Sequence, residues 1–301
     1  MQIRVSRVIP SFLDRFFFFC FVTGLFAFTS LFGERPFPAR GFAKILSKSE
    51  AADRLESYRS FVGRDLNRSA FHSAYAFRFR LRHMPRRGEE FFRTGTMYGM
   101  ALGHGLSRVD LDPANGQGQS LNFLLSNGPK PKAWIRFPDT LPRMMDEEEL
   151  FSPLIEGMNQ SPFDLLMPFV FWEAEYIKSG RVAGRPSHLY SFSSPIWVQN
   201  TRPDITKIVM ALDKSYEAPL RIETFAKLNV PDRTFILNSF KKVSDHWIVK
   251  SLDCKERITR SNTRFEVTSA ALNLDVDRTL FSPDGLLQQP LVPEDAFIST
   301  N

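Results

Sequence analysis

The chain has 301 residues, of which 43% are hydrophobic and 24% are charged, a composition that excludes a disordered, collagen-like or coiled-coil chain. The two cysteines, Cys20 and Cys254, are too few for a disulfide scaffold or a four-thiolate zinc site. The net charge of +6 is spread along the chain and is only weak support for nucleic-acid binding.

An export segment is expected at the N-terminus. Arg4, Arg7 and Arg15 precede an uncharged apolar run over residues 16–32. A basic region followed by an apolar one is typical of a secretory signal, and this run is also close to the length that crosses a bilayer. We expect residues 1–33 to be a cleaved signal peptide or an uncleaved signal anchor, and both alternatives stay open. In either case the rest of the chain would lie outside the cytosol.

One amphipathic helix is expected after a linker at residues 34–46. Ser47 and Glu50 have the spacing of a capping box, in which each residue satisfies a backbone amide of the other. Apolar residues then recur at helical spacing. The pattern predicts a helix over residues 47–65 with one apolar stripe that needs a sheet to cover it.

From residue 73 the hydrophobic period changes to two, which is typical of a half-buried strand. The expected inner face of this first strand carries Phe77, Phe79 and Leu81, and the outer face carries Arg78, Arg80 and Arg82. With Arg86 and Arg87 in the next turn, the arginines could bind phosphates. A solvated sheet face and a surface for an anionic lipid or an acidic partner both stay open.

Further alternating segments follow, separated by Gly, Pro, Asn and Asp at intervals of about ten residues. We expect about ten to eleven strands in one antiparallel sheet. Residues 144–171 interrupt the series with two short helical patterns. These patterns and the N-terminal helix are the covers available for the apolar face, and they leave either a hydrophobic cavity or a filled core.

Catalytic and metal-binding motifs are missing from the sequence. The five histidines lack zinc-hydrolase spacing, and there is no nucleophile elbow, P-loop or dinucleotide-binding turn. The acidic run at residues 146–149 fits a helix N-terminus. We therefore expect no enzyme activity, no cofactor and no metal site, unless folding assembles a constellation from distant residues.

Several segments carry a resemblance to a known family. The strands Trp247–Asp253 and Thr263–Val267 and the segment Leu280–Leu286 are similar in pattern to outer membrane lipoprotein-sorting proteins, relatives of the LolA-type carriers. The apolar block Phe163–Leu166 and the turn Arg181–Pro186 are similar to the same family. The resemblance covers residues 45–285.

The resemblance implies a mainly β (α+β) fold, an unclosed and strongly curved antiparallel β-barrel covered by an N-terminal helix and a helical lid. The half-barrel domain is expected at residues 47–288, followed by a C-terminal tail at residues 289–301. The resemblance also implies a periplasmic location, with residues 16–32 as an inner-membrane tether if they are not cleaved.

The function that the resemblance implies is that of a periplasmic carrier, which holds the acyl chains of a lipoprotein or lipid in outer-membrane lipoprotein sorting. The alternative is a membrane-anchored envelope scaffold or stress sensor with a partner protein at the inner or outer membrane. Nucleic acid is not an expected partner. The candidate cavity residues are Phe77, Phe79, Leu81, Trp134, Phe163, Leu166, Phe169 and Trp172.

Overall fold

The computed structural model describes residues 43–63, 74–100, 102–113, 120–226 and 230–300. The expected export segment at residues 1–33 lies outside the described residues, as does most of the expected linker. No helix in the described ranges combines the length and apolar character needed to cross a membrane.

Three α-helices are described, and the first has the expected start. Helix α1 spans Lys48–Val62, α2 spans Pro162–Leu166 and α3 spans Ile196–Thr201. At α1, the Glu50 amide donates to the Ser47 hydroxyl, and the Ser47 amide donates to the Glu50 carboxylate at 2.8 Å. The capping box is therefore present. Helix α3 was not expected from the sequence.

The described part of the chain contains fourteen strands. In chain order they are β1 (Ala74–Met84), β2 (Phe91–Met100), β3 (Leu106–Leu111), β4 (Leu121–Ser126), β5 (Lys132–Arg136), β6 (Arg143–Met144), β7 (Ala174–Val182), β8 (Arg185–Ser193), β9 (Lys207–Asp213), β10 (Pro219–Phe225), β11 (Pro231–Val243), β12 (His246–Glu256), β13 (Ser261–Leu274) and β14 (Ile298–Ser299). The count exceeds the expected ten to eleven partly because β6 and β14 have only two residues each.

The strands form one antiparallel sheet that does not close. Its order is β6-β5-β4-β3-β2-β1-β13-β12-β11-β10-β9-β8-β7, and β14 pairs with β13 beside this path. Along the path, only the pairing of β1 with β13 joins strands that are distant in sequence. The edge strands β6 and β7 are connected by residues 145–173, which we call the lid. The expected unclosed, mainly β half-barrel is confirmed.

A close approach between β1 and β2 places an aromatic ring directly on a glycine. Phe79 is in register with Gly95, and a Cβ built on Gly95 would lie 2.9 Å from the Phe79 ring and still closer to the backbone oxygen of Asp110. Glycine is therefore required where the ring crosses the strand. On its other side, β1 shifts register against β13 between Arg78 and Phe79, an irregularity that increases local twist.

The two faces of the sheet have separate apolar clusters. The main cluster combines one face of the sheet with α1 and the lid. A smaller cluster contains Leu124, Leu280, Phe281 and Leu286, so the segment after β13 covers part of the opposite face. The sheet also extends into the expected C-terminal tail, because Ile298 and Ser299 form β14.

Candidate ligand-binding core under the lid

The first strand contributes its apolar face to the main cluster. Phe79 and Leu81 are buried in that cluster, and Phe77 is half-buried and packs against it. Phe79 stacks on Phe265 of β13 with ring centroids 5.0 Å apart. The period-two pattern of β1 thus places these residues on one face, as the sequence predicts.

The lid places its apolar residues on the same cluster. Phe163, Leu166, Phe169 and Trp172 are all buried there. The Phe169 ring lies edge-on to Phe192 of β8, with centroids 5.3 Å apart. Seven of the eight candidate residues therefore belong to one apolar cluster between the lid and the sheet.

Trp134 lies elsewhere. Its neighbours Ala133 and Ile135 belong to the main cluster, whereas Trp134 packs against the smaller cluster beside its cross-strand partner Leu124. Successive side chains of a strand point to opposite faces, so a difference of one position decides the face. The structure does not bring Trp134 together with the other seven residues.

An arginine of α1 holds the end of the lid. Arg59 donates from Nε to the carbonyl of Val170 at 2.7 Å and from Nη2 to the carbonyl of Trp172 at 2.6 Å. Hydrogen bonds from a charged donor are stronger than neutral ones. No local sequence motif marks Arg59, because its acceptors lie more than one hundred residues along the chain.

A partly buried ion pair holds the lid at α2. The Arg233 guanidinium lies 2.7 Å from Asp164 and 3.2 Å from Glu256. Asp164 is only 4% exposed and also closes the capping box of α2 with Ser161. The charge of Asp164 is the main cause of a raised pKa at Arg233. Removing Arg233 would leave the Asp164 carboxylate without its counter-ion in a mostly buried place.

Neutral hydrogen bonds complete the polar border of the lid. The Trp172 indole donates to the carbonyl of Pro129 at 3.1 Å, and the Asn127 amide donates to the carbonyl of Leu166. At the other end of the lid, Gln160 donates to the carbonyl of Thr263 at 3.1 Å. The lid is thus apolar where it faces the sheet and bonded by polar groups around its margin.

Two buried titratable groups, Cys254 of β12 and His188 of β8, have shifted pKa values. Burial raises the pKa of the Cys254 thiol well above its ordinary value, which keeps the thiol protonated and unreactive. Burial lowers the pKa of His188 to about 4, and the His188 ring is 2.9 Å from the Ser179 hydroxyl. Within the described ranges, no group of three or more His, Cys, Asp or Glu could hold a metal ion.

Comparison with known proteins gives a match at the level of structure. No protein-family model matches the sequence, and no curated protein matches it either. An outer membrane lipoprotein-sorting protein domain from Vibrio parahaemolyticus superposes with a TM-score of 0.62, covering 79% of this chain and 100% of that chain at 14% identity. The fold is LolA-like.

Two further solved structures support the LolA-like fold. A DUF1329 family protein from Desulfovibrio piger has a TM-score of 0.60 at 13% identity and covers 77% of this chain and 99% of its own. A LolA superfamily protein from Nitrosomonas europaea has a TM-score of 0.56 at 13% identity and covers 77% of this chain and 97% of its own. The resemblance noted in the sequence is confirmed for the fold.

Proposed function

We propose that this protein is a periplasmic carrier that binds the acyl chains of a lipoprotein or lipid between the lid and the concave face of its sheet. The proposal includes a role in outer-membrane lipoprotein sorting and no catalytic step. The sorting role is the one named in the description of the Vibrio parahaemolyticus domain, which has a similar fold.

The observation that supports the proposal is that the lid is apolar on the side facing the sheet and polar at its margin. Its inward side chains, among them Phe163 and Phe169, are apolar, and its margin is held by a small number of polar contacts such as those from Arg59 and Arg233. Lifting such a segment breaks a small number of polar contacts and exposes its own apolar residues, and it uncovers a continuous apolar face. An acyl chain is the ligand class that matches this surface.

The energy of transfer sets the scale of such binding. Each buried methylene group contributes about 0.8 kcal/mol, so a long acyl chain gains roughly 10 kcal/mol. Lifting the lid and immobilising the chain oppose this gain. Because the interior is filled by side chains when the lid is closed, as at Tyr190 and Phe192, the occupant must replace lid residues. Release would then follow from the lid returning to its place.

Native mass spectrometry of the full chain, purified from the periplasm of a Gram-negative host, tests the proposal. We expect a bound species of lipid or acyl-peptide mass, which organic extraction then recovers. A clean unliganded mass, together with no uptake of an added synthetic lipopeptide, would contradict the carrier proposal.

The second candidate function is an envelope scaffold or stress sensor with a protein partner. The observation that favours it is the filled interior, in which Val62, Leu166 and Val170 are at most 1% exposed. This function requires no ligand and leaves the lid closed. An unliganded protein that retains one defined partner in a reciprocal pull-down would support it over the carrier.

A further inference from the structure

The arginines near β1 divide into two groups. Those of the strand are ion-paired, Arg78 with Glu294, Arg80 with Glu266 and Arg82 with Glu90. Arg86 and Arg87, in the turn after β1, are exposed, and no ion pair or hydrogen bond joins their side chains to another described residue. The charge still available to an external anion is therefore at the turn and not on the sheet face.

Arg86 and Arg87 border a cleft of about 530 Å³, which we call the rim cleft. The cleft lies between the β1–β2 turn, the β12–β13 turn and the lid. Its lining is His83, Pro85, Arg86, Arg87, Pro153, Gly157, Met158, Asn159, Thr259 and Ser261. This lining includes two guanidinium groups and no carboxylate, so it favours an anion.

The inner wall of the rim cleft is preorganised. The Asn159 side chain accepts from the Ser261 hydroxyl at 3.0 Å and donates to the carbonyl of Cys254 at 2.9 Å. His83 lies 2.7 Å from the Thr263 hydroxyl, and burial lowers the pKa of His83, so the imidazole is neutral at pH 7. The positive charge of the cleft therefore comes from its two arginines.

Apolar side chains project beside this basic cleft. Ile258, next to Thr259 of the cleft, is 74% exposed, and Val230, which immediately precedes β11, is 49% exposed. A hydrogen bond from the Arg257 amide to the carbonyl of Asp232 at 2.8 Å joins the start of the β12–β13 turn to β11, two residues after Val230. Exposed Arg260 adds a third unpaired cation, while the exposed carboxylates of Glu89 and Glu156 lie outside the cleft lining.

We propose that the rim cleft docks the protein on an anionic phospholipid bilayer. The lipid phosphate is held between Arg86 and Arg87, and Ile258 enters the apolar boundary of the bilayer. Cations and isolated apolar residues on one surface are the features that bind anionic interfaces. Ile258 and Val230 stand on separate turns, which suits a fluid apolar layer better than an acidic peptide. This docking requires no cargo and goes beyond the carrier function.

A fluorophore on the turn itself tests the proposal in the full chain. Ile258→Cys in a Cys20→Ser background is labelled with an environment-sensitive dye, since buried Cys254 does not react. The matched control label is Tyr216→Cys, on the exposed turn at the opposite end of β10. With phosphatidylglycerol vesicles we expect a blue shift at position 258 and none at position 216. Phosphatidylcholine vesicles should give little change at either position.

Charge reversal of the two turn arginines then tests the cleft. Each cation at an anionic surface contributes about fivefold to binding, so Arg86→Glu with Arg87→Glu should weaken the vesicle titration at least roughly 25-fold. Both positions are exposed, and circular dichroism checks that the fold is retained. Equal titrations for the two proteins, or an equal shift with neutral vesicles, would overturn the proposal.

Two further experiments distinguish binding of a soluble anion from docking on a bilayer. Binding of inorganic phosphate or of a polyglutamate peptide at the turn, without any vesicle-induced shift at position 258, would overturn membrane docking in favour of a soluble anion or an acidic protein. Uptake of a soluble lipopeptide is measured on the same variants. It should be unchanged by the charge reversal, so failure of docking and failure of the carrier function give different results.

Discussion

The guanidinium of Arg59 in α1 lies 2.7 Å from the carbonyl oxygen of Val170, in the last turn of the lid. A second bond from the same side chain reaches the carbonyl of Trp172. One residue of the N-terminal helix therefore satisfies two carbonyls of the segment that covers the apolar interior. Helix α1 and the lid, which both cover the sheet, are thus joined directly by hydrogen bonds.

Arg59→Ala should loosen the lid. The variant loses two hydrogen bonds from a charged donor, and such a bond contributes up to about 1.5–3 kcal/mol. We expect a decrease of about 2–3 kcal/mol in the free energy of unfolding. Apolar-dye fluorescence should rise under native conditions, because the interior opens more often. Urea denaturation and dye titration measure the two effects.

Lys48→Ala is the matched control for Arg59→Ala, because Lys48 is an exposed cation on the same helix. It should change stability by less than about 0.5 kcal/mol and leave dye binding unchanged. Equal dye binding by the wild type and Arg59→Ala would show that Arg59 does not control the lid.

Phe79→Ala and Trp134→Ala should separate the two faces of the sheet. Phe79 lies in the main cluster under the lid, and Trp134 packs on the opposite face. Truncating Phe79 leaves a cavity, costs about 3–5 kcal/mol and makes room for an apolar dye. Trp134→Ala should leave dye and lipopeptide uptake at the wild-type level. An effect of Trp134→Ala on uptake equal to that of Phe79→Ala would contradict the assignment of the faces.

Gly95→Ala should destabilise the centre of the sheet. The added Cβ would meet the Phe79 ring at 2.9 Å and the backbone of β3 more closely still, so the strands must shift. We expect a loss of about 1–3 kcal/mol in thermal or chemical denaturation. Gly180→Ala in β7 is the control, because its new Cβ would meet only Leu189 at 3.9 Å. Similar midpoints for both variants would refute the close-approach argument.

His188 should make stability fall in acid. Burial is the main cause that lowers its pKa from 6.5 to about 4 in the folded protein, and the charges of Arg54 and Lys214 add to this. A lowered pKa means that the stabilising contribution is present above pH 6.5 and is lost as the pH falls from 6.5 towards 4. The loss between pH 7.5 and pH 4.5 is about 2.5 kcal/mol.

The comparison of His188→Gln with the wild type isolates this contribution from the carboxylates that also titrate in acid. The difference in unfolding free energy between the two proteins should narrow by about 2.5 kcal/mol from pH 7.5 to pH 4.5. Urea denaturation at both pH values measures it. A difference that stays constant with pH would show that His188 is not held neutral.

Most of the fold could be predicted from local patterns. The capping box at Ser47 and the alternation in β1 depend on neighbours in sequence, and both are present as expected. The short helix α3 has no capping side chain and few turns, so its sequence carries little signal. The two-residue strands β6 and β14 are too short for a period to be visible.

The candidate site was predicted less completely than the fold. Seven of the eight apolar residues belong to one cluster between the lid and the sheet because their strand or helix pattern defines one apolar face. Trp134 was predicted to face the cavity because it is a large apolar residue. In its short strand, Ala133 and Ile135 form an equally good apolar face. The residues that hold the lid, Arg59 and Arg233, were missed because charged side chains on helices and strands are usually solvated.

The sequence by itself determined the elements of this protein, since hydrophobic period, capping and turn residues act between positions a few residues apart. It also determined that one sheet face and two covering segments are apolar. Only the tertiary structure decided that β1 pairs with β13, that Arg59 bonds to Val170, and that the turns after β1 and β12 share a cleft. These contacts join residues that are far apart in the chain. Their energies depend on distances in the folded protein, so no pattern among neighbouring residues predicts them.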